Sequence, residues 1–131
     1  QGIRIDNLPT SSERQIREVC DYLAMQHDML RSRFTQKDNE WIQEISPPEQ
    51  IHALNYVDLS EIATKQHEAI VLEEMHRIQD QFDLSKGSLF KCIYFGGSGS
   101  SNDFCIFIGH HLLVDIVSWQ IIFDDFICFT P

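Results

Sequence analysis

The sequence predicts an α+β fold, an α/β sandwich in which a mixed sheet carries packed helices. Three observations lead there. Two apolar runs, Leu89 to Phe95 and Phe104 to Gly109, are joined by Gly96-Gly97-Ser98-Gly99-Ser100-Ser101-Asn102, a flexible loop that favours an antiparallel hairpin. Elsewhere Ile16, Cys20, Leu23 and Leu30, and then Val71, Met75, Ile78 and Phe82, recur at helical spacing, each set forming one apolar stripe. Strands and helices mix without a strict βαβ rhythm, which points to a mixed sheet with helices on it.

In chain order, Gly2 to Asp6 alternates apolar and polar residues and reads as a short strand. Thr10-Ser11-Ser12-Glu13 is a helix-capping signature, because hydroxyl side chains satisfy the free N–H groups of a first turn. The helix it opens runs from about Ser12 to Met29, with His27 on the stripe. Leu30 to Phe34 and Trp41 to Ile45 alternate as two strands across the polar turn Thr35 to Glu40, with Trp41 as a cross-strand packing residue. Pro47-Pro48 ends that unit, and Leu54 to Val57 reads as a further short strand. The last segment, Ile116 to Phe129, is apolar on nearly every side and reads as a buried helix.

Composition narrows the function. The formal net charge of -10 argues against nucleic acid, whose phosphates need a basic footprint, and against anionic membranes. No apolar run reaches about 18 residues, the length of a membrane span. Cys20, Cys92, Cys105 and Cys128 form no CxxC pair, and the last three sit in apolar runs, so they read as reduced thiols of a cytoplasmic protein. The chain starts at Gln1 and stops at Pro131 after a helix-like stretch; both ends are expected to be cuts in a larger polypeptide. All 131 residues are expected to form a single partial domain.

The stretch richest in chemistry is Phe104-Cys105-Ile106-Phe107-Ile108-Gly109-His110-His111-Leu112-Leu113-Val114-Asp115. A hydrophobic strand runs out into two histidines, and an aspartate follows. A histidine at a strand end is held by the sheet and can face a cleft, where its titration near neutrality suits proton transfer. Three readings stand on the residues alone. The histidines are satisfied core or loop residues with Asp115 capping a helix, or they do acid–base chemistry, or they ligate a metal with Asp115. Adjacent strand-end histidines face opposite sides, which works against the last, so no metal is expected. Gly96 to Gly99 lacks the GK[ST] ending of a phosphate loop. Glu73-Glu74 reads as a solvated helix face, and His52, His67 and His76 read as surface residues.

His110-His111-Leu112-Leu113-Val114-Asp115 resembles the HHxxxD motif of the condensation superfamily of non-ribosomal peptide synthetases. Val117-Ser118-Trp119 extends the match toward the epimerization subtype, whose motif continues D-x-V-S-W-R. His27-Asp28-Met29-Leu30-Arg31-Ser32-Arg33-Phe34 resembles the family's R-H-x-x-L-R-T-x-F segment, and Phe82 to Lys91 its F-D-L-x-x-G-P-L-x-R segment. Ile116, Gln120 and Ser88 stand where relatives carry glycine, arginine and proline.

The resemblance implies a chloramphenicol-acetyltransferase-like lobe with a mixed, mostly antiparallel sheet, the N-terminal lobe of a two-lobed domain. It implies His111 as the catalytic residue, with His110, Asp115, Arg31, Ser118 and Trp119 as support. Asp115 would pair with Arg31, and His110 would hold the turn. No cofactor would bind directly, since the substrate rides on the phosphopantetheine of a peptidyl carrier protein. The partners implied are that carrier and the missing C-terminal lobe. The activity implied is epimerization of an aminoacyl or peptidyl thioester. The alternatives are peptide-bond-forming condensation, a coenzyme A acyltransferase, or a non-catalytic lobe that docks a carrier protein.

Overall fold

The computed structural model describes residues 2–6, 13–47, 53–87, 89–97, 103–110, 113 and 124–126. Its elements are β1 (Gly2–Ile5), α1 (Glu13–Gln26), a 3₁₀ turn (Asp28–Arg31), β2 (Ser32–Lys37), β3 (Glu40–Ile45) and β4 (Leu54–Asp58). A second 3₁₀ turn (Thr64–Gln66), α2 (His67–Gln81), β5 (Phe90–Gly96) and β6 (Phe104–Gly109) follow. Four strands form one mixed sheet in the order β1-β6-β5-β4, and β2 and β3 form a separate ribbon. The β5–β6 and β1–β6 pairs are antiparallel, while β4 lies parallel to β5. The parallel pair needs a long crossover, and α2 lies within the chain that makes it.

The two central strands explain the sandwich. Side chains alternate across a strand, and in β5 and β6 both faces are apolar. Phe90, Cys92, Tyr94, Cys105 and Phe107 share a core with Ile16, Val19, Cys20, Leu23 and Ala24 of α1. On the opposite face Ile93, Phe95, Phe104, Ile106 and Ile108 pack with Val71 and Ile78 of α2. A strand buried on both faces must read as a continuous apolar run, which is how these two strands read in the sequence. Stacked rings add to the packing: Phe90 on Phe107 at 5.6 Å and Phe95 on Phe104 at 4.9 Å between centroids. The α+β class and the mostly antiparallel sheet expected from the sequence are what the structure has.

The element ends differ from expectation in ways that local chemistry explains. Helix α1 stops at Gln26 rather than Met29. Beyond it the chain tightens into the 3₁₀ turn, whose Arg31 donates from Nε to the carbonyl of Ala24 at 2.9 Å. That bond satisfies one of the carbonyls an α-helix leaves free in its last turn. The β2–β3 turn is shorter than the polar stretch Thr35 to Glu40, because only Asp38 and Asn39 turn, with φ of 53° and 64°. Asp and Asn tolerate that left-handed backbone, and two such residues match the twist of a tight hairpin. Trp41 lies opposite Gln36 and is 62% exposed, so it is an open-edge residue and not the packing residue its pattern suggested. At Gly97 φ is +82°, and a side chain there would run into Asp58, so glycine is required where β5 ends.

Of the segment Ile116 to Phe129, residues 124–126 are described and are helical. Cys20, Cys92 and Cys105 are buried free thiols of one core. Burial, followed by hydrogen bonds with Cys105 and Cys20, pushes the Cys92 thiol well above its ordinary range. Among the described residues no helix is long and apolar enough to cross a membrane.

Candidate functional site at the end of strand β6

The three segments singled out in the sequence converge where β6 ends. His110 follows Gly109, and its backbone N–H donates to the carbonyl of Leu89 at 2.8 Å, continuing the β5–β6 ladder by one step. Its ring is half-buried and tilts against Phe82 with centroids 6.3 Å apart. Phe82 opens the second segment, where Asp83 bridges to Gly87. The carboxylate of Asp83 accepts from the Ser85 hydroxyl at 2.7 Å and the Ser85 N–H at 2.9 Å. Those two bonds hold its carboxyl below the usual carboxylate range. Gly87 closes the turn beside Arg33 and Ser46 with φ +79°, a left-handed conformation suited to glycine.

The first segment meets the second through one backbone bond, from the N–H of Phe34 to the carbonyl of Leu84 at 2.6 Å. Ahead of Phe34, Arg31 is buried, and its guanidinium is shared among three acceptors. Nε reaches Ala24 O at 2.9 Å, one terminal nitrogen reaches Ser46 O at 2.6 Å, and the other pairs with the Asp28 carboxylate. A planar fork of donors suits such a task in a way that a lysine could not. Arg31 thus ties the end of α1 to the end of β3 beside the candidate site.

Of the residues expected at the site, His110 and Arg31 are described, and the structure brings their segments together through Phe82 and Phe34. His111, Asp115, Ser118 and Trp119 lie outside the described residues, and so does the expected Arg31–Asp115 pair. Leu113, between them in sequence, is buried in the α1-side core at 1% exposure. Beyond the motif, Phe126 is fully buried with its ring edge-on to Phe107 at 5.0 Å. The neighbouring Asp125 accepts a hydrogen bond from Nε2 of His27 at 2.6 Å.

That His27–Asp125 pair was not read from the sequence. Its signal was the pair of aspartates, Asp124 and Asp125, inside an otherwise apolar run, since a carboxylate in such a run needs a partner. Of the groups expected at the surface, His52 lies outside the described residues, and the others differ in exposure. His76 and Glu73 are exposed, whereas Glu74 is half-buried on the Val71–Ile78 side of α2 and pairs with Arg77 at 2.6 Å. His67 is half-buried, with its ring bonded to the carbonyl of Ile62 at 2.9 Å. Among the described residues no group of three or more His, Cys, Asp or Glu side chains is placed to hold a metal ion.

Fold and motif geometry together define a class, and comparison with known proteins gives its name. The chain belongs to the condensation domain family, whose model matches residues 11–129. It is similar to bacitracin synthase 3 of Bacillus licheniformis, at 31% identity over 86% of this chain and 2% of that protein. It is likewise similar to the nonribosomal peptide synthetase ungA' of Aspergillus campestris, at 30% identity over 85% of this chain and 1% of that protein. Among solved structures, the epimerization domain from the third module of tyrocidine synthetase B superposes with a TM-score of 0.80 at 30% identity. That match covers 96% of this chain and 28% of the other. The starter condensation domain of rhizomide synthetase shares the fold, with a TM-score of 0.77 at 18% identity over 95% of this chain and 31% of that one. The chain therefore spans less than a third of these solved domains and a few hundredths of the synthetases.

Proposed function

We propose that this chain is the N-terminal lobe of an epimerization domain, working in the cytoplasm as part of a non-ribosomal peptide synthetase. The substrate is an aminoacyl or peptidyl thioester carried on the phosphopantetheine arm of a peptidyl carrier protein. The observation that carries the reading is the convergence at one strand end of the segments around Arg31, Phe82 and His110. The continuation Val117-Ser118-Trp119 and the likeness to the tyrocidine epimerization domain support the subtype.

The chemistry follows from what a thioester does to its neighbour. Its carbonyl acidifies the α-carbon, because the electron pair left behind delocalises onto oxygen as an enolate. His111 accepts the α-proton as the C–H bond breaks, and a proton returned to the opposite face of the enolate inverts the centre. An imidazole suits both halves of that exchange, since its ordinary pKa of about 6.5 leaves both protonation states accessible near neutral pH. His110, tied to Leu89 and Phe82, holds the turn, and Arg31 with Asp115 shapes the floor around the histidine. The second lobe completes the tunnel, so the chain alone is expected to turn nothing over.

A peptide-bond-forming condensation domain is the second reading. It is favoured by Gln120, which stands in place of the arginine common in epimerization relatives. The experiment that separates the two supplies the complete domain with an L-aminoacyl carrier protein in deuterated water. Epimerization gives an L/D mixture with deuterium at the α-carbon, and His111→Ala abolishes it without unfolding the domain. Amide formation without deuterium uptake moves the assignment to condensation, and an active His111→Ala variant refutes the role of His111.

A further inference from the structure

We propose that His27 is a positioning residue for the candidate site: acting through Asp125, it fixes the orientation in which the chain re-enters the core after the histidine motif. The proposal rests on the functional reading above. Its geometric part stands on three observations about residues far apart in sequence.

The first is where His27 sits. Its N–H donates to Leu23 O at 2.9 Å and its own carbonyl accepts from the N–H of Leu30 at 2.9 Å. The residue is thus locked at the junction between α1 and the turn that carries Arg31. The second is what its ring does. Nε2 donates to Asp125 Oδ2 at 2.6 Å, across 98 residues of chain, with only 21% of the His27 side chain exposed. A short bond from an imidazole to an ionised carboxylate is stronger than a neutral one, and because the Asp125 side chain is 37% exposed its contribution is directional more than electrostatic.

The third is what the pair adds to packing already there. Phe126 seats its ring against Phe107, and apolar contact of this kind sets depth without setting rotation. Successive helical residues differ by about 100° of rotation. A slip of one residue would bring exposed Asp124 to His27 and turn Asp125 and Phe126 by that angle. The directional bond from His27 to Asp125 selects one rotation. It therefore fixes the downstream anchor of the chain that leaves the sheet at His110, while the bond from His110 N–H to Leu89 O fixes the upstream anchor. His27 joins both Arg31 and the return point of the motif to one rigid junction.

The test uses His27→Ala, Asp125→Ala, the double variant, and Asp125→Asn, whose amide oxygen still accepts a hydrogen bond from the imidazole. Amide exchange read by mass spectrometry on this chain should rise about tenfold at Asp124–Phe126 in either alanine variant, as expected for loss of one directional bond, with β5 and β6 unchanged. In the complete domain, kcat for α-proton exchange should fall on the order of 10²-fold with KM unchanged, because sub-ångström misplacement slows chemistry more than binding. Asp125→Asn should recover most of both. A uniform rise in exchange over the whole fold, additive losses in the double variant, or an unchanged kcat would overturn the positioning role. A wild-type domain without α-proton exchange overturns the functional reading and the positioning role with it, while the amide data still show whether the pair forms.

Discussion

Replacing Arg31 by alanine is the sharpest test of how this site is held. Arg31 is 8% exposed, and its guanidinium bonds Ala24 O at 2.9 Å, Ser46 O at 2.6 Å and the Asp28 carboxylate. A hydrogen bond from a charged donor contributes about 1.5–3 kcal/mol, so losing two from buried carbonyls implies roughly 3–6 kcal/mol. The third partner adds little: 70% of the Asp28 side chain is exposed, and a pair with one solvated member contributes about 0–1 kcal/mol. For a chain of this size a 3 kcal/mol loss lowers Tm by roughly 10–15 °C. Urea unfolding followed by circular dichroism measures the difference directly. Arg31→Ala should cost several times what Asp28→Ala costs, and Arg31→Lys should recover only part, because an ammonium cannot span the two carbonyls. Equal losses for Arg31→Ala and Asp28→Ala would refute the reasoning, since the carbonyl bonds would then carry nothing.

Three further outcomes are expected. Asp115→Ala should lower stability by on the order of 3–5 kcal/mol if its carboxylate shares the Arg31 guanidinium, and a double-mutant cycle with Arg31→Ala should be strongly non-additive; additive losses would show that the two do not meet. Tyr94, 1% exposed, donates to Asp103 Oδ2 at 2.9 Å, and burial together with that bond raises its pKa above the ordinary 10.0. Unfolding above pH 10 therefore releases its proton, so this stabilising contribution is complete below about pH 10 and lost as pH climbs toward the folded value. Tyr94→Phe should cost about 1.5–3 kcal/mol at neutral pH and flatten the alkaline limb of a pH–stability curve; an unaltered limb would count against the bond. Phe126→Ala should cost roughly 3–5 kcal/mol in a denaturant titration, as buried phenylalanine truncations do; a loss below about 1 kcal/mol would mean the ring does not fill the space beside Phe107.

What the sequence made legible follows from range. Strands β5 and β6 could be read because continuous apolar runs, bounded by glycines and a polar loop, leave few other structures open. The face each residue takes could not be read: with both sides apolar, nothing in the run says that Cys92 meets α1 and Ile93 meets α2. The end of α1 was misread because an apolar stripe does not show a capping arginine five residues beyond the last helical residue. Trp41 was misread because alternation says that a strand has two faces without saying that another layer of the fold covers either of them, and β3 is exposed on both. At the candidate site, His110 and Arg31 were legible as parts of motifs. The His27–Asp125 pair was not, because 98 intervening residues leave no periodicity linking the two. Only the path of the chain around the core makes them neighbours.

The buried thiols give the fold a property of a different kind. Cys20, Cys92 and Cys105 are inaccessible, and the Cys92 thiol is held protonated by its surroundings. An alkylating reagent needs a thiolate it can reach, so in the native state these sulfurs are chemically silent. They span helix α1 and the two central strands, the parts of the molecule that open last. The rate at which they become labelled is therefore a clock for opening of the whole fold. Mass spectrometry of the trapped chain would show whether that clock keeps one time for all three thiols, as a single cooperative unit must.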